Sequence, residues 1–209
     1  MCSAKRLKPE ERKNEIKKAA AKVFVGKGFS KTTMEDVINE TTMSKGGVYH
    51  YYASTLDILH DLMVDGIHYR NEVIQSNLSD FKKGYEIKFI AKQIVDKILD
   101  DNFYMDIYVQ FLIEKKRNEK LNKLFEVLKE QSRQEFLILE NKNQQYLMDD
   151  NMYDLVTNFI NSMIIGAEIL DARENLKINR NILERMAIIL IEEGGNKNGK
   201  NNEREALKR

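Results

Sequence analysis

Between Thr32 and Tyr52 the chain crowds together side chains able to meet a phosphate: Thr33, Ser44, Lys45, Tyr49 and Tyr51, with Gly46 and Gly47 among them. Hydroxyls donate hydrogen bonds and lysine brings a mobile charge, the two means by which proteins hold a nucleic-acid backbone without reading its sequence. A glycine pair clears side chains from a place where backbone must come close to a phosphate chain, and a helix opening there offers unpaired N–H groups to an anion. His50 projects on the side opposite Val48, where it could reach base edges in a major groove, and Gly47 would permit the close approach. Val48 and Tyr52 are expected to face inward. Taken singly, each tyrosine is as well explained by packing, since aromatics at helical spacing usually belong to a core.

Charge separates the two explanations. Residues 1–50 hold eleven Lys/Arg and six Asp/Glu, a balance of 11 − 6 = +5. The whole chain carries +1, so the other 159 residues carry 1 − 5 = −4. A basic head on a mildly acidic body is the distribution expected when one end meets a polyanion.

The elements that must position these residues are short helices. Ile16, Ala19, Ala20, Val23 and Phe24 mark the buried stripe of a first helix that opens at Pro9 and stops at Gly26 and Gly28. Thr32 with Glu35 makes a capping box for a second helix burying Met34, Val37 and Ile38 and running to about Thr41. Ser44 caps a third through His50. Two short helices joined by a tight turn have helix-turn-helix spacing. Ser54 and Asp57 open a long fourth helix with a stripe of Leu56, Leu59, Met63, Ile67, Arg70 and Ile74.

Residues 9–59 resemble the N-terminal domain of tetracycline-repressor (TetR) type regulators. The resemblance is carried by Ala20-Ala21-Lys22-Val23-Phe24, Gly28-Phe29, Thr32-Thr33, Ser44-Lys45-Gly46 and Tyr49-His50-Tyr51-Tyr52, in that order. Two positions depart from the family pattern. Thr42 stands where a glycine is common in the inter-helix turn, and Thr55 where a lysine usually follows the serine of helix four, which removes one phosphate contact. The resemblance implies an all-α chain: a DNA-binding head over 9–69 and a helical ligand-binding and dimerisation body over 70–193. It further implies a dimeric repressor bound to a near-palindromic operator and released by a small-molecule effector, often apolar or aromatic. The alternative within the class is a constitutive DNA binder or activator with no working effector pocket.

In the body, helices are expected over about Tyr85–Leu99, Phe103–Glu114, Lys120–Glu140, Met152–Arg173 and Asn179–Glu193. The segment from Phe103 to Ile113 is apolar around nearly its whole circumference. Burial in a bundle explains that as well as a ligand cavity does; the resemblance favours the cavity, with Phe103, Tyr104, Tyr108 and Phe111 as candidate ligand-binding residues. Ile165 and Ile169 lie off the stripe of their helix, and Ile188, Ile189 and Ile191 off the last helix's stripe of Ile182, Leu183, Met186, Ala187 and Leu190. Such excess apolar surface on the two C-terminal helices predicts a homodimer joined by a four-helix bundle. The tail 194–209, rich in Gly, Asn, Lys and Glu, is expected to be disordered.

Other chemistry finds little support. Asp61, Asp65 and His68 share a helix face, yet a solvated face explains them better than a metal site. One cysteine, three histidines and the lack of a nucleophile elbow, a Cys-x-x-Cys pair or a His-Glu-x-x-His motif leave no catalytic constellation, so neither an enzyme nor a cofactor is expected. Cys2 has no intrachain partner, and no segment is apolar enough to span a bilayer, which points to the cytoplasm and away from a membrane.

Overall fold

The structure, a computed structural model, describes residues 8–82, 84–142 and 150–206, of which 136–142 and 194–206 by backbone alone. Lys5, Arg6 and Cys2 therefore lie outside the described residues, as do the side chains of Phe136, Leu139 and the tail. Among the described residues there is no strand, and the order is α1 (Pro9–Lys27), a 3-10 turn (Phe29–Lys31), α2 (Met34–Asn39), α3 (Lys45–Tyr49), α4 (Thr55–Ser76), α5 (Glu86–Leu99), α6 (Met105–Glu114), α7 (Glu119–Lys142), α8 (Asp150–Ile169), α9 (Arg173–Ile178) and α10 (Arg180–Ala206). The chain is all-α. Among the described residues no helix is long and apolar enough to cross a membrane.

Contacts divide the chain into two compact units: residues 1–69 with 102–129, and residues 70–101 with 130–209. The first, here the head unit, joins the chain up to Tyr69 with α6 and the start of α7. Its core gathers Ile16, Ala20 and Phe24 of α1, Val37 of α2, Val48 of α3, Ile58, Leu59 and Leu62 of α4, and Ile107 and Phe111 of α6. Burying each of these larger side chains contributes about 1.5–3 kcal/mol relative to leaving it in water. The α4 stripe differs from the expected one: Leu59 and Met63 are buried, but the fully covered partners are Ile58 and Leu62, while Leu56 and Ile67 are half-buried.

Glycine is required at one point of this unit. Gly28 ends α1 with φ 83°, and its N–H donates to the Phe24 carbonyl at 2.9 Å. L-residues rarely adopt that φ. A Cβ there would also stand 2.9 Å from the Glu114 carboxylate.

The second unit, the body unit, is organised on α5, which packs against α8, α9 and α10. Ile90, Ile94, Val95 and Ile98 of α5 are buried with Met152, Val156, Ile160 and Ile164 of α8 and Leu183, Ala187 and Ile191 of α10. Two boundaries differ from expectation. α8 stops at Ile169 because Asp171 takes a left-handed φ of 51°, a conformation Asp tolerates better than most residues, and the short α9 follows. The last helix continues past Glu193 to Ala206.

Candidate nucleic-acid interface

α2 and α3 are too short to stand on propensity alone, so their caps matter. Thr33 caps α2: its hydroxyl accepts from the Asp36 N–H at 3.2 Å and donates to the Asp36 carboxylate at 2.6 Å, while the Thr33 N–H donates to the same carboxylate at 2.7 Å. The box is thus Thr33/Asp36, one residue beyond the Thr32/Glu35 pair the sequence suggested. Thr32 instead turns back, donating its hydroxyl to the Gly28 carbonyl at 2.8 Å. Lys27 lies 2.5 Å from Asp36 and, with the Thr33 donors, holds its carboxyl far below the usual carboxylate range. Ser44 caps α3 as expected, accepting from the Gly47 N–H at 3.2 Å.

The turn between the helices is fastened to α1. Thr42, standing where a glycine is common, gives both its N–H and its hydroxyl to one Glu15 oxygen, at 2.7 and 2.6 Å, and Arg12 takes the other oxygen at 3.1 Å. These contacts, the Thr42 hydroxyl foremost, hold the Glu15 carboxyl below its ordinary 4.5.

With the turn fixed, α3 presents one side to its own core and the other outward. Val48 and the following Tyr52 are buried, as their spacing predicted; Lys45, Gly46, Tyr49 and His50 are exposed. Open space surrounds Gly46, where an added Cβ would meet nothing within 4 Å. Gly47 sits closer in, its would-be Cβ 3.3 Å from the Ser44 hydroxyl. Among the described residues Lys45 pairs with Glu35 at 3.4 Å, an exposed contact weak enough to exchange for a phosphate. The His50 and Tyr51 rings meet edge-on, 5.0 Å apart, and Tyr51 is half-buried against the core. Thr33 is also exposed, though both of its donors are directed to Asp36.

The Tyr52 hydroxyl donates to Asp61 at 2.9 Å, and burial followed by that carboxylate pushes its ionisation well above the usual tyrosine range. Lys13 lies 3.8 Å from Asp61, and Lys17 is paired with Asp65. Asp61 and Asp65 of α4, expected on a solvated face, are therefore matched to lysines of α1. Among the described residues no group of three or more metal-ligating side chains occurs.

Three supports of this surface escaped the sequence reading. Glu15 is one. Glu114, at the end of α6, accepts from the backbone N–H groups of Phe29 and Ser30 at 2.9 and 2.8 Å and from the Ser30 hydroxyl, and Gln110 donates to the Val25 carbonyl at 3.0 Å. These contacts span up to 85 residues of sequence, and no local pattern announces them.

A family model described as bacterial regulatory proteins, tetR family, matches residues 16–62, the stretch from the α1 core to the middle of α4. The chain carries a tetR-family head. Within it, 58 residues are 43% identical to YfiR, an HTH-type transcriptional regulator of Bacillus subtilis (strain 168), a match spanning 28% of this chain and 28% of that one. Beyond the head the likeness is one of fold. A TetR-family transcriptional regulator of Syntrophomonas wolfei superposes with a TM-score of 0.68 at 15% identity, over 88% of this chain and 95% of its own. A transcriptional regulator of Saccharomonospora viridis, solved in complex with choline, does so with a TM-score of 0.56 at 16% identity, over 88% and 96%. As a tetR-family head, residues 16–62 form a DNA-binding domain, and α3 is its outward-facing second helix.

The remaining sequence expectations fall elsewhere. Of the candidate ligand residues, Phe111 is buried in the head-unit core, Tyr104 and Tyr108 pack half-buried against it, and Phe103 is exposed. Tyr104 lies against Gly66, whose would-be Cβ is 3.5 Å away, and its ring is 6.1 Å from that of Tyr69. All four belong to the head unit, not to the body unit to which the sequence reading assigned them. Of the candidate dimer residues, Ile169 and Ile189 are exposed, each at 57%, whereas Ile165 and Ile188 are half-buried within their unit.

Proposed function

We propose that this protein is a dimeric transcriptional repressor whose α3 lies in the major groove of a near-palindromic operator, and which a small-molecule effector releases. The observation that carries the reading is the division of α3: Val48 inward, and Lys45, Gly46, Tyr49 and His50 outward on a helix held by the Ser44 cap and the Thr42–Glu15 tie. Ser44, Lys45, Gly46, Tyr49 and Tyr51 then position the head on phosphates, while His50, with Gly47 beside it, reads base edges. Thr33 joins the phosphate set through an exchange of its Asp36 partner. The cytoplasm is where such a protein meets its operator.

Residues 9–69 serve as the DNA-binding part and 70–193 as the dimerisation and ligand-binding part. A regulator of similar fold crystallised with choline supports a small-molecule partner. For the dimer, Ile182, Met186 and Ile189 recur at i, i+4 and i+7 on α10 with 49, 44 and 57% exposure, and α8 adds Leu155 and Ile169.

Fluorescence anisotropy tests the reading, with a duplex from the DNA flanking the coding region set against a scrambled duplex. Binding should favour the flanking duplex and weaken steeply with salt, by about 10³-fold or more between 50 and 200 mM if roughly six phosphates are neutralised. Equal, salt-insensitive binding to both duplexes would refute it.

A further inference from the structure

In the body unit, Gln93 of α5 is 7% exposed, and its side-chain oxygen accepts two hydrogen bonds, from Arg70 Nη2 and from Asn77 Nδ2, each at 3.2 Å. Arg70 Nη2 also donates to the Gln93 backbone carbonyl. Two donors on that oxygen fix the amide's orientation, because the opposite flip would set its NH2 against the guanidinium and the Asn77 amide. The amide nitrogen, Nε2, then points the other way, buried and with no acceptor. A buried donor left without an acceptor costs more than a hydrogen bond gains, so its persistence asks for a reason.

One turn further along α5 stands Lys97. As a residue it is half-buried, but its ammonium sits deep enough among protein atoms that desolvation, aided by the charge of Arg70, lowers its pKa to about 8. Among the described residues no carboxylate pairs with it. The neighbouring acids are engaged elsewhere: Asp96 with Arg180 at 2.5 Å and Asp80 with Lys92 at 2.9 Å. Around this donor set α5 is apolar, with Ile90, Ile94 and Ile98 buried.

We propose that Gln93 and Lys97, oriented by Arg70, form a carboxylate-binding site in the body unit, and that the effector is an organic acid with an otherwise apolar skeleton. The site supplies a neutral N–H and an ammonium on one helix face, one for each oxygen of a carboxylate, and an anion there satisfies both at once. The proposal deepens the effector-released reading, on which its regulatory consequence rests. It also opposes a quaternary ammonium ligand, which two cationic side chains would repel.

The test uses the full chain with lysine 13C-labelled at Cε, and acetate, octanoate and benzoate as probes beside octanol, benzyl alcohol and choline. The Lys97 signal should shift saturably with the acids and not with the alcohols or choline. Lys97→Met should abolish the protection against heating that octanoate or benzoate confers, and Lys97→Arg should retain it. A Lys97 signal indifferent to all three acids, or alcohols acting as strongly as acids, overturns the site. Anisotropy with the flanking duplex, run on the same samples, keeps the two readings apart. Acids that bind at Lys97 in a protein with no preference for that duplex would refute the repressor and leave the site standing. Duplex binding beside a silent Lys97 would do the reverse.

Discussion

Thr42 illustrates how a single side chain can replace a backbone solution. A glycine in a helix-turn-helix turn works by conformational freedom, whereas threonine here works by fastening the turn to α1 through Glu15. Glu15→Gln keeps the shape but weakens both bonds, and should lower stability by about 1 kcal/mol, a charge-assisted value reduced for solvent screening. Because the Thr42 contacts hold the Glu15 carboxyl below its ordinary 4.5, the stabilisation is complete above about pH 4.5 and is lost as the pH falls below it. Urea unfolding at pH 7 and pH 4 should therefore show a smaller gap between wild type and Glu15→Gln at the lower pH. At the surface itself, Lys45→Ala and Tyr49→Phe should weaken binding to every duplex alike and reduce the salt slope, while His50→Ala should change the preference among sequences by roughly 1–3 kcal/mol. Competition binding with operator and random duplexes separates them; equal losses on both for His50→Ala would remove it from base reading.

At the scale of elements, what could be read from the sequence was whatever rests on local physics. Ser44 as a cap, Ser54 with Asp57 at the start of α4, and the inward Val48 all follow from spacing within one or two turns. The α2 cap shows the limit of that reading. Thr32/Glu35 and Thr33/Asp36 are equally good boxes on paper, and what chooses between them is the Gly28 carbonyl, which engages the Thr32 hydroxyl in the preceding turn. The placement of α6 was beyond local reading altogether. An aromatic run cannot say which unit it packs into, and Phe111 is decided by Ile16, Phe24 and their neighbours some ninety residues earlier. Its C-terminal Glu114 closes the 3-10 turn that leads into α2, so Glu114→Ala should leave two N–H groups without their acceptor. The expected loss is about 1–3 kcal/mol, with faster hydrogen exchange at Phe29 and Ser30 than at the α1 amides. Unchanged exchange at those two positions would show that Glu114 does not hold the turn. Ser44→Ala should cost about 1 kcal/mol and loosen α3 without touching α6.

At the scale of the molecule, the sequence shows surplus apolar surface on the last helices but not the whole row that carries it: Ile169 and Ile189 are exposed, Ile165 and Ile188 half-buried. A stripe through Ile182, Leu183, Met186, Ala187 and Leu190 leaves Ile188, Ile189 and Ile191 as surplus; the body unit buries Leu183 and Ala187 of that stripe but also Ile191, which rotates the covered face and leaves Ile182 and Met186 outside beside Ile189. A single-helix pattern gives the width of an apolar face, not its direction, when nearly every position is apolar. The exposed row is what a monomer tolerates least and a two-fold partner covers best, since self-complementary helix faces pack around a common axis. Each isoleucine buried there would contribute on the order of 2 kcal/mol before the cost of association. Charges placed on half-buried Ile165 or Ile188 would damage the body itself, so the informative variant is Ile182→Glu with Ile189→Glu. Sedimentation velocity should find it a monomer with wild-type helicity, and anisotropy should show weakened operator binding, because two half-sites no longer arrive together on one particle. A double variant that still sediments as a wild-type dimer would place the interface on another face.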